Sequence, residues 1–515
     1  MVARLSRRGF VGGAAVLSTA SLWASRPSRA AIAMGFDEAR HLLSRTAFGA
    51  TPAEIRAVEA LDYAAAVDRL LSARPSGATT PAPAWVSEAP TELRAAQKAS
   101  LEKKGVDGKP LNIVRPVQEQ ARELRNWWVE EMLVTDQPLV ERMTLFWHNH
   151  FTSSLEKVKY APAMYRQNEL FRREALGNFG RLLKSVAADP AMLIYLDGVR
   201  SVALQPNENF ARELLELFTL GEGHYSEADI KNAARAFTGW SIDRDTGAFR
   251  KYERAHDHGE KTFLGQTGNF SGDDIVAILL KQPRTAELVV EKLWREFVSL
   301  RPDPAEVKRL AAILRNGNYE MKPVLRAMFL LPAFREPTNR GALIKSPVDL
   351  IVGSVHMLGL PVPEKTQLVR MMQGLGQFPF NPPNVKGWAG GEKWITTYTL
   401  LLRQQFMRRM IEATTVSSMD GNMTDRRPNR RADRKEMAPG EGAMQPPMEA
   451  SRPVEGRSLR NAGMEARLGP TLRGVDAAEL IRVLLPRQPI DGAEVSGPPG
   501  AVVAMAMLDP AYQLK

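Results

Sequence analysis

The sequence contains no cysteine. Disulfide bonds, thiolate metal sites and cysteine nucleophiles are therefore excluded. The chain also lacks a Gly-x-Ser-x-Gly turn, a phosphate loop ending in Gly-Lys-Ser/Thr, a His-Glu-x-x-His motif and a dinucleotide fingerprint after a strand. Beyond residue 33, no apolar run approaches the roughly 20 residues that a membrane helix needs. These absences leave no recognised catalytic motif and predict no transmembrane anchor after removal of the N-terminal segment.

The first 33 residues have the features of an export signal. The arginine pair Arg7 and Arg8 precedes a modest apolar stretch over residues 11–24, and small residues with two further arginines follow. A charged start, a short apolar middle and a small-residue end are typical of a removable signal peptide. The arginine pair and the weak hydrophobicity favour the twin-arginine route, which carries folded proteins. We therefore expect residues 1–33 to be removed and the mature protein to be periplasmic or extracytoplasmic.

The formal charge of +11 at first suggests a nucleic-acid partner. Five arginines lie in the predicted signal, which contains no acid, so the mature chain retains only +6. A charge of this size spread over the rest of the chain is weak, and export separates the protein from intracellular nucleic acid. We therefore expect no nucleic-acid partner.

Apolar residues three and four positions apart predict a mainly α fold, with one large multi-helix domain over residues 34–413. The Gly- and Asp-rich stretch 240–270 favours either an irregular loop or a short β-hairpin. Residues 414–472 are rich in Met, Arg, Pro and Gly, which predicts a disordered linker. Residues 473–515 are predicted to form a C-terminal helix and a tail that docks on the helical domain.

Two histidines lie on one predicted helix. His150 falls within the apolar arc of that helix, whereas His148 falls on the opposite side with Glu141 and Thr144. If the helix continues through both, the two imidazoles cannot share one metal ion. The sequence leaves open a buried, satisfied His150 with a surface His148, or a functional or metal site that uses at least one of them.

The segment 208–218 separates charged from apolar residues on a helical wheel. Glu208, Asn209, Arg212 and Glu213 lie on its polar arc. An ordinary amphipathic helix explains this pattern. The alternative is that its carboxylates, close to a histidine, form a divalent-metal or acid/base site within a helical bundle.

Two loops carry further candidates. His256, Asp257 and Lys261 lie in a stretch that is either a ligand or metal site or an Asp/Gly turn that orders the neighbouring chain. Asn384 and Trp388 belong to a Pro- and Gly-rich loop, and Trp394 follows it. Exposed indoles would stack on a sugar or a peptide, whereas buried indoles would anchor the loop.

Several stretches resemble the bacterial family named domain of unknown function 1800. They include 41–49, 146–151, 208–221, 236–240, 261–265, 383–388 and 509–515. The resemblance implies a mostly helical, exported protein and no established activity. It also suggests a partner, because such proteins are often encoded beside exported members of another family, domain of unknown function 1501. One position departs from the pattern: relatives commonly have a histidine where this chain has Phe218, which weakens the metal hypothesis here.

Three functional hypotheses follow from these observations. The first is a scaffold or binding protein that acts with an exported partner. The second is a metal-assisted hydrolase, with a divalent metal as its cofactor and a site drawn from these residues: His148, Glu208 and Glu213 as catalytic groups, and His148, His150 and His256 as metal ligands. The third is polymer binding in the cell envelope through Trp388 and Trp394, which requires exposed, coplanar rings.

Overall fold

The computed structural model describes residues 33–102, 116–360, 363–416, 470–490 and 497–515. The predicted signal peptide, apart from Ala33, lies outside the described residues. Most of the predicted linker, residues 417–469, lies outside them as well.

The described chain is mainly α-helical, as the sequence predicted. The helices in its first part are α1 (Phe36–Thr46), α2 (Pro52–Glu59), α3 (Tyr63–Leu71), α4 (Pro90–Glu102), α5 (Pro116–Val134), α6 (Pro138–His150), α7 (Leu155–Val158), α8 (Ala161–Arg173), α9 (Phe179–Ala187), α10 (Pro190–Tyr195) and α11 (Glu208–Glu213). Those that follow are α12 (Glu227–Ala236), α13 (Gly272–Lys281), α14 (Pro283–Phe297), α15 (Pro304–Asn316), α16 (Met321–Phe329), α17 (Pro332–Arg335), α18 (Pro347–Leu358), α19 (Lys365–Gly374), α20 (Thr397–Val416), α21 (Ala477–Leu484) and α22 (Pro499–Leu508).

Local sequence signals explain how the chain enters these helices. Thr51 and Glu54 form a reciprocal capping box at the start of α2, and Pro52 occupies the first turn. Residues 36–73 form the three helices α1, α2 and α3. The start of α3 lies at Asp62, whose carboxylate accepts hydrogen bonds from the backbone N–H groups of Ala64 and Ala65.

The stretch 240–270 forms two short antiparallel hairpins. Strands β1 (Trp240–Ile242) and β2 (Phe249–Lys251) pair with each other, and β3 (Lys261–Phe263) pairs with β4 (Gln266–Gly268). The hairpin alternative for this stretch is therefore correct, although the chain forms two hairpins where the sequence suggested at most one.

Helix α6 runs through the interior and packs against α1, α5 and α8. Ten of its thirteen residues are buried, on all sides of the helix. The expectation of a surface His148 is therefore wrong: its ring is fully buried. The side of α6 that carries His148 also carries polar residues, and a helical wheel assigns such a side to the surface even when it is buried.

The straight helix expected over 208–218 is also interrupted. Helix α11 ends at Glu213 and passes into a π-helical turn, Leu214–Thr219. The Thr219 hydroxyl donates to the Leu214 carbonyl at 2.6 Å within this turn. π-turns of this kind often accompany functional sites. Here the turn leaves the Leu217 carbonyl free to accept a side-chain donor.

The end of the described chain returns to the centre of the molecule. Lys515 donates its backbone N–H to the Leu343 carbonyl at 2.7 Å, and Tyr512 shares a 2.8 Å hydroxyl contact with Ser354 of α18. These contacts place the Lys515 side chain beside the first turn of α18. None of the helices in the described ranges combines the length and apolarity that crossing a bilayer requires.

Candidate functional site

A cleft of about 310 Å³ opens on one side of α6. Its walls come from α6, from α14, from the first turn of α18, from the loop over 377–394 and from Lys515. Its charged, polar and aromatic lining includes Arg142, Phe146, Asn149, His150, Lys292, Arg295, Glu296, Asp349, Lys386, Trp388, Trp394 and Lys515. The name "cleft" refers to this site below.

A buried ion network forms the floor of the cleft. Arg142 of α6 pairs with Asp349 and, at 2.7 Å, with Glu296. Lys515 pairs with the second oxygen of Asp349 at 2.7 Å. Burial alone would raise the pKa of the Asp349 carboxyl, but the charges of Arg142 and Lys515 hold it well below its usual range. Both carboxylates of the floor are therefore already engaged by Arg142 and Lys515.

Lys292 of α14 has a different environment. Its amine donates to the Leu217 carbonyl of the π-turn at 2.7 Å and to Nδ1 of His150 at 3.1 Å. No carboxylate of the described residues lies within ion-pair distance of this amine. Burial, followed by the charge of Arg295, lowers the pKa of Lys292 to about 8. The amine is still mainly protonated at neutral pH, so the cleft contains a cation without an anionic partner.

The contact with Lys292 also sets the protonation state of His150. Burial and the nearby charge of Lys292 hold the pKa of His150 well below its ordinary value, so the ring is neutral. Because Nδ1 accepts from Lys292, the ring proton is assigned to Nε2. Nε2 is buried without a hydrogen-bond partner among the described residues.

Charge in the cleft is unbalanced. Among the described residues, five cationic side chains line it, Arg142, Lys292, Arg295, Lys386 and Lys515, against the two carboxylates of Glu296 and Asp349. Arg295 and Lys386 also lie 3.9 and 3.5 Å from Glu291 and Glu216, which do not line the cleft. The rim cations are the accessible ones: the side chains of Arg295 and Lys386 are 48% and 68% exposed. A concave surface with this excess attracts anions.

Trp388 separates the cleft from the interior. Its backbone N–H donates to Oδ1 of Asn149 at 2.7 Å, and the Asn149 amide returns a bond to the Trp388 carbonyl. The preceding residue, Gly387, has a φ of +78°, and a Cβ there would lie 2.3 Å from Oδ1 of Asn149. Only glycine permits this approach. The loop is thereby fixed against α6.

His148 lies behind Trp388 in an aromatic cage formed by Trp128, Phe171, Phe380 and Trp388. The ring centroids of these residues lie 5.2, 6.2, 5.3 and 5.7 Å from that of His148. Neither ring nitrogen of His148 has a hydrogen-bond partner among the described residues, and burial lowers its pKa to about 3. His148 is therefore a neutral residue enclosed by aromatic rings, two residues from the cleft-lining His150.

The candidates on α11 form a surface arrangement. Arg212 pairs with Glu208 at 3.3 Å and with Glu227 of α12 at 2.8 Å. Asn209 is exposed and lies 3.5 Å from a carboxylate oxygen of Asp197. Glu213 is half-buried, and burial raises its pKa. These contacts are those of a solvated amphipathic helix.

The candidates between 256 and 261 hold their own loop together. The Lys261 amine is buried and donates to the carbonyls of Asp257 and Gly259 at 2.6 and 2.9 Å. Asp257 pairs with Arg235 at 2.7 Å, and Nδ1 of His256 contacts the Thr238 carbonyl at 2.9 Å. The arrangement matches the alternative in which these residues order the surrounding chain.

The remaining candidates have structural contacts. Oδ1 of Asn384 accepts the backbone N–H of Lys386 at 2.9 Å, which shapes the turn before Gly387. Trp388 and Trp394 are 5% and 8% exposed, so neither offers the open ring that stacking on a polymer requires. Within the described ranges, no three His, Asp or Glu side chains are grouped closely enough to hold a metal ion. His148, Glu208, Glu213 and His256 are accordingly not gathered around one ion.

Three of the residues that line the cleft, His150, Trp388 and Trp394, were candidates from the sequence, whereas its charged residues were not. Arg142, Lys292 and Asp349 look like ordinary charges on amphipathic helices, and only the fold shows that they converge. Asn149 and Lys515 lie within stretches that carried the family resemblance, which was the available signal for both. Phe218, where relatives commonly have histidine, has its ring 6.0 Å from that of His150.

Fold and site together define a mainly helical protein with a cation-lined cleft. The family model "Protein of unknown function (DUF1800)" matches residues 41–514, so the chain belongs to that family. No curated protein and no solved structure shows significant similarity to the chain.

Proposed function

We propose that this protein is an exported binding protein whose cleft receives a carboxylate-bearing, acidic segment of an exported partner. The partner proposed is a member of the family named domain of unknown function 1501. The twin-arginine pattern of residues 1–33 supports the export part of the proposal. The cleft supports the binding part.

The observation that carries the proposal is the unpaired charge of Lys292. A buried or half-buried cation without an anionic partner is costly, and an incoming carboxylate provides the missing partner. The carboxylates of Glu296 and Asp349 cannot do so, because Arg142 and Lys515 already engage them. The rim cations Arg295 and Lys386 add a field that steers an anion towards the cleft.

One exposed apolar side chain at the cleft, and two on the helix that follows the cleft-lining loop in sequence, suit a protein partner. Leu300, which lines the cleft, is 39% exposed. Tyr398 and Leu401 of α20, which begins three residues after the cleft-lining Trp394, are 65% and 56% exposed. Exposed apolar side chains beside a charged pocket are typical of a protein interaction surface. A partner would cover them while its acidic group enters the cleft.

Charge reversal at the rim tests this proposal. The double variant Arg295→Glu/Lys386→Glu is expressed with the partner, and both chains carry their own leaders and are collected from the periplasm. The substituted side chains are 48% and 68% exposed and each loses only a partly exposed ion pair, so we expect the fold to be retained. We expect affinity for the partner to fall at least about tenfold, or ~1.4 kcal/mol.

The matched control is Lys308→Glu/Arg315→Glu, which makes the same charge change on exposed positions of α15. It should leave affinity unchanged. If both double variants lost the same affinity for the partner, the loss would come from the change in net charge, and a role for the cleft would be contradicted. Secretion that persists in a host without the twin-arginine transporter would contradict the export part.

A further inference from the structure

A second, smaller pocket lies on the other side of the Asp349–Lys515 ion pair. Its volume is about 30 Å³, and it lies between α1, Lys345, the first turn of α18 and the last two residues. Its polar lining consists of Arg40, Ser44, Lys345, Asp349 and Lys515. Arg40, Ser44 and Lys345 do not line the cleft. The two cavities therefore share only the ion pair.

Asp349 is the one carboxylate side chain among the described residues that lines this pocket, and both of its oxygens are already engaged. One of its oxygens binds Arg142, and the other accepts from Lys515 at 2.7 Å and from the backbone N–H of Ser346 at 3.0 Å. It makes no ion pair with Arg40 or Lys345, although its charge acts on Lys345 from a longer distance.

Neither Arg40 nor Lys345 forms an ion pair within the described ranges, although the charges of Asp37 and Asp349 act on them from a longer distance. Arg40 is 6% exposed, and its Nη2 is buried without a hydrogen-bond partner. The Lys345 amine lies 3.8 Å from the centre of the Tyr512 ring and makes no ion pair in the described ranges. Burial, followed by the charge of Arg40, lowers the pKa of Lys345 to about 7. Nη2 of Arg40 therefore lacks an acceptor, and a bound anion would favour the protonated form of the Lys345 amine.

Two neighbouring arginines add to the buried positive charge around this pocket. Arg45 and Arg403 are both fully buried, and each has at least one guanidinium nitrogen without a partner among the described residues. Burial followed by the charge of Arg142 lowers the pKa of Arg45 to about 9. An excess of buried cations of this size calls for a counter-charge.

We propose that this small pocket binds a small monovalent inorganic anion, with chloride as the ligand, between Arg40 and Lys345. The volume exceeds the ~10–15 Å³ that one water molecule needs, and chloride is of similar size to water. A tetrahedral oxyanion such as phosphate or sulfate, with four oxygens, needs more space than a chloride ion. The anion compensates Arg40 and the protonated Lys345, neither of which pairs with Asp349, and so stabilises the junction of α1, α18 and the chain end.

Thermal unfolding of the mature protein tests the proposal. Sodium gluconate, whose anion is too large for the pocket, is replaced stepwise by sodium chloride at constant ionic strength. An anion that binds only the folded state raises the midpoint of unfolding and saturates. We expect a rise of several degrees that levels off for the parent protein and is absent in Lys345→Met.

Two further variants complete the experiment. Arg40→Gln should also abolish the chloride dependence, which provides a second readout if one variant folds poorly. Arg326→Gln, at an exposed ion pair with Asp68, should retain it. A midpoint independent of chloride in the parent, or the same dependence in parent and Lys345→Met, would overturn the proposal.

Discussion

The two sides of helix α6 present the same residue type in opposite environments. His148 lies in the aromatic cage, and neither of its nitrogens has a hydrogen-bond partner among the described residues. His150, two residues later, accepts from the Lys292 amine and lines a cleft with an excess of positive charge. Trp388 lies between them, in contact with the His148 ring on one side and the cleft on the other.

The difference shows that residue type and spacing do not decide what a histidine does. Both rings are neutral at pH 7, but for different reasons: burial alone acts on His148, whereas burial and the charge of Lys292 act on His150. The cage contributes packing, and the cleft contributes an electrostatic field. The variants below separate the two contributions, from the largest expected effect to the smallest.

Removal of Arg142 should cause the largest loss on the cleft side. Arg142→Met leaves Glu296 and Asp349 without their guanidinium, and breaking a buried pair in this way costs about 3–5 kcal/mol. The free energy of unfolding from denaturant titration measures it. Arg326→Met is the control, because its exposed pair with Asp68 should cost less than about 1 kcal/mol. Similar losses in both variants would contradict a central role for the floor network.

Replacement of His148 tests the cage through pH. The pKa of His148 is about 6.5 in the unfolded chain and is lowered to about 3 in the folded protein. The contribution of its neutral ring to stability is therefore fully present above pH 6.5 and is lost as the pH falls towards 3. At pH 7 the free energy of unfolding of His148→Leu should lie within about 1.5 kcal/mol of that of the parent. At pH 4.5 the free energy of unfolding of His148→Leu, relative to that of the parent, should be ~2.7 kcal/mol higher than at pH 7, because two pH units below 6.5 contribute ~1.4 kcal/mol each.

Denaturant titrations across pH 4–7 measure this effect. Other buried histidines are common to both proteins and cancel in the comparison. Parallel stability curves for the parent and His148→Leu would show that the ring is solvated or hydrogen-bonded. The cage would then not be the sealed environment described above.

The smallest effect is expected at the loop that divides cage from cleft. Gly387→Ala combines a left-handed backbone with a contact against Asn149, whereas Gly390→Ala has a φ of +70° and open space. Gly387→Ala should therefore lower the free energy of unfolding by about 1–2 kcal/mol more than Gly390→Ala does. The difference corresponds to disturbing the hydrogen bond between Asn149 and Trp388. Equal costs in thermal unfolding would show that Asn149 does not hold the loop.

Part of this structure could be predicted from the sequence. The helical class, the start of α2 at Thr51 and the α21 helix after Asp476 follow from local periodicity and capping, which act over a few residues. The π-turn after Glu213 and the two buried faces of α6 could not be predicted, because tertiary packing sets both. The same holds for the site: Arg142, Lys292, Asp349 and Lys515 are far apart in the chain and meet only in the fold.

A site-specific cross-link tests the central claim, that the cleft side of α6 is the binding side, most directly. A photoreactive amino acid replaces Leu300 at the cleft in one protein and the exposed Lys308 of α15 in another. Each is illuminated in the periplasm with the exported partner, and the cross-linked peptides are identified by mass spectrometry. We expect cross-links from position 300 to an Asp/Glu-rich segment of the partner and none from position 308. Equal yields from both positions, or a bound partner that never cross-links from position 300, would contradict the account.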